Sequence, residues 1–145
     1  MAAFNYKFKT VKKVKEQLKK KTEKKLADVE LEILSIQQLI EELTNELKDA
    51  INNFSAKNVK VSELQFHKSN EKILNDKIKS AEILLYQLKK KKSEVMAELE
   101  QKSKEHKIFD ILEDNMRERF NTEQNKLENI KIDEIAVQKF ARGKL

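Results

Sequence analysis

The chain has 145 residues, 39% hydrophobic and 39% charged, with one glycine, no proline and no cysteine. That balance excludes a thick globular core and matches the bias of long helices, while the lack of cysteine excludes disulfides, thiol catalysis and thiolate metal sites. A formal net charge of +6 favours acidic partners of any kind without selecting one.

With no proline and the single glycine at Gly143, nothing before Ala141 obliges a helix to break. No stretch approaches the roughly 20 apolar residues that span a bilayer, and the N-terminus has no apolar signal core, so a soluble cytoplasmic protein without a transmembrane segment is expected.

A first helix is expected over residues 8–54. From Leu26 the apolar positions Val29, Ile33, Ile36, Ile40, Leu43, Leu47, Ala50 and Phe54 follow in alternating steps of three and four, the pattern of a coiled-coil seam. Ahead of it, Val11, Val14, Leu18 and Thr22 continue the stripe in a spacing that predicts a stutter. Periodicity lapses over 55–62, where the turn is expected.

Ser62, with Gln65 three residues on, reads as an N-cap, and Val61 with Phe66 as a hydrophobic staple. A second helix is therefore expected over 63–141, with Leu74, Ile78, Ala81, Leu85, Leu88, Lys92, Val95, Leu99, Lys102, His106, Phe109, Leu112, Met116 and Phe120 as its seam. So short a connection packs the two helices side by side. The fold class is all-α: one long antiparallel two-helix coiled-coil domain over 1–145, its second helix longer than the first. Folding about Asn58 sets Leu47 and Ala50 toward His67 and Asn70, and Lys15 to Lys25 toward Lys92 to Lys102.

Three surfaces are candidates for function. The overhang of the second helix, from Phe109 onward, carries Met116, Phe120, Leu127, Ile130, Ile135 and Phe140 at helical spacings with Asp133 and Glu134 between them; an apolar stripe that the first helix is too short to cover marks a partner site. Phe4, Tyr6 and Phe8 are placed to fold back on part of it. At the hairpin tip, Ile51, Phe54, Phe66 and Ile73 present apolar side chains around the turn. A basic collar gathers Lys19, Lys20, Lys21, Lys24 and Lys25 with Lys89, Lys90, Lys91 and Lys92. A charge run of this kind is ordinarily a solvated face paired at helical spacing. The alternative is a coiled coil that uses it to bind nucleic acid or an anionic membrane; the lysine runs lack the interleaved arginines and aromatics that nucleic-acid recognition favours, so no nucleic acid is expected.

No enzyme is expected. His67 and His106 have no second ligand at metalloprotease spacing, no glycine-rich phosphate loop or nucleophile elbow occurs, and two helices enclose no deep pocket. No catalytic residue, metal or cofactor is therefore assigned.

The opening Phe4-x-Tyr6-x-Phe8-x-Thr10-Val11-x-x-Val14-Lys15, the lysine-rich heptad helix, and the ending Lys131-Ile132-Asp133-Glu134-Ile135-Ala136-x-x-x-Phe140-Ala141-Arg142 resemble the flagellar FliJ family. The likeness covers nearly the whole chain. It implies a component of the flagellar type III export apparatus, cytoplasmic and held peripherally at the inner face of the membrane by that apparatus. The role it implies is a stalk or adaptor and chaperone-escort protein that promotes assembly or coupling of the export ATPase ring. The partners it implies are the hexameric export ATPase, the membrane-embedded export gate protein and other export chaperones. The family signature carries over to Asp133, Glu134, Ile135 and Ala136. Leu43, Leu47 and Ile51 stand where tyrosines are looked for before the turn, a departure that bears on the gate contact.

Overall fold

The computed structural model describes residues 2–54 and 60–143. They form two helices packed against each other, α1 (Lys9–Phe54, 46 residues) and α2 (Val61–Gly143, 83 residues), with no strand among the described residues. The expected turn at 55–62 lies mostly outside the described residues. α2 starts two residues before the expected Glu63: Lys60 already accepts the Leu64 N–H through its carbonyl (3.0 Å). Ser62 therefore sits inside the first turn rather than capping it. The expected staple is absent, since Val61 and Phe66 are both largely exposed; five residues apart on one helix, they point about 140° away from each other.

The close contacts fall into two compact units, Met1–Lys19 with Gln101–Leu145, and Lys20–Glu100. In the second, the core is Val29, Ile33 and Leu88, with Ile36 and Leu85 packed on it. Leu43, Leu74, Ala81 and Val95 are also buried. These are residues from the alternating rows of both helices, because a seam of two facing stripes is the only surface that two helices can dry out. The two helices of the seam run antiparallel: Lys25 pairs with Glu98 (3.4 Å), Glu30 with Lys92 (3.7 Å), and the Phe54 and His67 rings meet at a 45° tilt with centroids 4.5 Å apart. His67 thus meets Phe54 and not Ala50, so the register is shifted by one helical turn from the one expected.

In the first unit the inward residues of α1 are not the expected apolar ones. Lys12, Lys15 and Lys19 are part-buried, whereas Val11, Val14 and Leu18 are 41%, 48% and 37% exposed. Counting back from Leu26 in strict steps of four and three reaches Thr22, Lys19, Lys15 and Lys12, so the row needs no stutter. Lys12 and Lys15 turn inward where α2 offers them carboxylates, and their aliphatic stems fill the space that a leucine would take.

The exposed and buried rows of the second unit separate by substitution. Ile33→Ala should cost about 2–5 kcal/mol by leaving a cavity in the seam. Leu84→Ala, at an exposed position, should stay within about 0.5 kcal/mol of the parent. Urea unfolding followed by circular dichroism measures both; equal midpoints for the two variants would contradict this packing.

Candidate functional site

The exposed stretch of α2 is defined by where its covering ends. Residues 4–8 precede α1 in a non-helical segment whose alternation places Phe4, Tyr6 and Phe8 on the side facing α2 and leaves Asn5 and Lys7 in solvent. Tyr6 is 5% exposed, and its hydroxyl donates to the Phe109 carbonyl (2.8 Å). Burial, with the Glu113 carboxylate nearby, raises the phenol above its ordinary value. Phe8 meets Phe109 edge-on at 6.3 Å, and Phe4 packs on Phe120 at 5.6 Å with the Arg117 guanidinium 4.7 Å from the Phe4 ring centroid. The expectation that this segment folds back on α2 holds.

The segment also covers the first part of the stripe. Met116 and Phe120, expected to belong to an open stripe, are part-buried, and Phe120 is in contact with Phe4. The exposed stretch begins beyond them. From Phe120 the steps of three and four continue through Glu123, Leu127, Ile130, Glu134, Val137 and Ala141, all exposed. A shallow cavity of about 410 Å³ lies over this row, lined by Ile130, Asp133, Glu134, Val137 and Gln138. Ile132 and Ile135 are exposed on a different row, and Phe140 is exposed near the end of the helix.

A charged layer locks the covered part. The Lys12 ammonium donates to Glu113 and lies 2.8 Å from Asp110; Lys15 pairs with Glu105 (3.3 Å), and Arg117 with Glu113 (3.5 Å). Hydrogen bonds from Lys12 hold Asp110 and Glu113 below the usual carboxylate range, and bonds from Gln101 and Lys15 do the same to Glu105. The same carboxylates hold Lys12 well above the ordinary lysine value. The His106 Nε2 is buried with no hydrogen-bond partner among the described residues. Sequence reasoning missed Lys12, Lys15, Glu105, Asp110, Glu113 and Arg117; the signal was the strict three-four count, overruled there by the apolar Val11, Val14 and Leu18.

The second unit holds the other candidates. At the tip Ile51, Phe66 and Ile73 are exposed and Phe54 is half-buried against His67. Ile73 also lines an apolar groove of about 620 Å³ with Ile36, Leu39, Leu43, Ala81 and Leu84, which the reading of the sequence did not single out. The collar is staggered rather than gathered: Lys25 faces Glu98, and Lys92 faces Glu30, so Lys89 to Lys92 do not lie opposite Lys20 to Lys25. Lys19 belongs to the other unit, where its charge helps to lower Asp110.

A family model described as "Flagellar FliJ protein" matches residues 4–145. The chain belongs to the FliJ family. No curated protein and no solved structure matches it. As a FliJ protein it is a component of the flagellar export apparatus, in a family of non-catalytic export components. No helix among its described residues is long and apolar enough to cross a membrane. No group of three His, Cys, Asp or Glu side chains among them could hold a metal ion.

The sign of the charged layer's pH dependence follows from its carboxylates. Their folded values are depressed, so the stabilisation is complete above the ordinary carboxylate range and is lost as pH falls through and below about 4. Acidification should therefore lower the melting temperature, and less so in Lys12→Met, whose carboxylates have no Lys12 ammonium to lose contact with on protonation. A parent and variant with identical pH profiles would remove the layer from the account.

Proposed function

We propose that this FliJ-family protein is a non-enzymatic stalk and adaptor that binds the hexameric export ATPase with the C-terminal part of α2 and promotes assembly or coupling of its ring. The supporting observation is the row that continues past Phe120, on which Phe4 packs: Leu127, Ile130 and Val137 follow at seam spacing and are exposed. An exposed row of this kind is matched by a partner helix or a ring of apolar side chains. The groove beside Ile73 and the exposed tip residues are the surface offered to the membrane-embedded gate and to export chaperones. These contacts would hold the protein peripherally at the inner face of the membrane.

A collar reading, in which lysines bind nucleic acid or anionic lipid, draws less support. Lys25 and Lys92 already face glutamates across the seam, and such pairs return little affinity to an external anion.

Capture of the cognate export ATPase by the intact chain tests the main reading, together with the effect on ATP hydrolysis. Leu127→Asp with Ile130→Asp should abolish capture and leave helicity unchanged, because both positions are exposed. Failure of the parent chain to bind or to alter hydrolysis would reject the stalk role.

A further inference from the structure

The exposed row of α2 contains one feature that an apolar sleeve does not explain. Past Glu123 its positions run Leu127, Ile130, Glu134, Val137 and Ala141, so in this stretch an acid stands in the middle of apolar positions. A carboxylate at such a position lowers the stability of any pairing that leaves it unmet, and so selects the register and the partner that meet it.

The covered part of the same unit contains the precedent. Glu113 lies on this same row of α2, three heptads before Glu134. It is met there by Lys12, an inward lysine of α1, with its side chain 21% exposed. Within this protein a seam carboxylate is answered by a lysine whose stem fills the seam. Glu134 has the same placement, and α1 starts too late in the fold to supply a second lysine.

We infer that the occupant of the Leu127–Ala141 row is a single amphipathic helix of another protein. It carries one lysine or arginine at a seam position opposite Glu134, with apolar residues three and four positions to either side. The row is continuous with the seam already formed against α1 and the N-terminal segment, so a helix continues it without new geometry. A second copy is a poor occupant: parallel pairing of two such stretches sets Glu134 on Glu134. Antiparallel pairing about the middle of the row does the same or sets Glu134 on apolar side chains. No lysine of 121–143 shares the row, since Lys126, Lys131 and Lys139 fall between its positions. Glu134 is thus a specificity residue of the C-terminal face, an inference that rests on reading that face as a docking surface.

The probe is a set of synthetic helices of about three heptads, with leucine at the seam positions and lysine, leucine or glutamate at the central one. Binding to the full chain is measured by fluorescence anisotropy. The lysine peptide should bind about tenfold tighter than the glutamate peptide, because like charges in a drying seam are strongly disfavoured. Glu134→Lys should reverse that order, and Leu127→Asp should weaken all three. Equal affinities, an order that Glu134→Lys leaves unchanged, or a concentration-dependent dimer that Leu127→Asp dissolves would each overturn the inference. ATPase capture separates it from the functional reading. If the parent fails to capture the ATPase yet keeps the peptide order and its reversal, the ATPase assignment falls and the seam inference stands. If parent and Glu134→Lys capture it equally, the seam inference falls and the assignment stands.

Discussion

Two helices alone can remove only one strip of each from water, and the fold depends on that strip being filled layer by layer. In the Lys20–Glu100 unit the strip is apolar at Val29, Ile33 and Leu88, and burial there provides the cohesion. In the other unit the same rows hold Lys12 and Lys15 against Glu105, Asp110 and Glu113, and cohesion comes from paired charges plus the aromatic side chains of residues 4–8. The two chemistries differ in consequence. Apolar layers tolerate sliding by a heptad, whereas a lysine that must find a carboxylate does not.

The N-terminal segment decides where the protein's own packing stops. Its aromatic residues use up Phe109 and Phe120, and its one buried hydroxyl reaches a helix carbonyl that needs no freed backbone to receive it. What remains of α2 keeps the spacing of a seam and is exposed. α2, at 83 residues against 46 for α1, therefore carries an exposed row past the stretch that the N-terminal segment covers. The family match places the chain among components of the flagellar export apparatus.

Much of the fold was legible from the spacing of residues because a helical hairpin is nearly a one-dimensional object. The row from Leu26 to Phe54 and the long second row to Phe120 are all buried or part-buried, as the alternation of three and four requires. The reading failed where hydrophobicity and spacing disagreed. Val11, Val14 and Leu18 are apolar and the more exposed, while Lys12, Lys15 and Lys19 are charged and part-buried. Counting alone gives the correct row; the apolar character of the neighbouring one diverted it. The start of α2 at Val61 and the pairing of Phe54 with His67 were also misplaced, each by a turn or less.

The sequence by itself determined that the chain is two long helices, that the second outruns the first, and which family it belongs to. Each of these is written in local periodicity, in the lack of helix breakers, or in short motifs at the ends. Tertiary structure alone decided which charges turn inward, how far the aromatic segment covers α2, and where the exposed row begins. Those outcomes depend on what the opposite helix presents at each layer, and a lysine's place inside or outside is fixed by a carboxylate about ninety or a hundred residues away in the chain, which no local pattern contains.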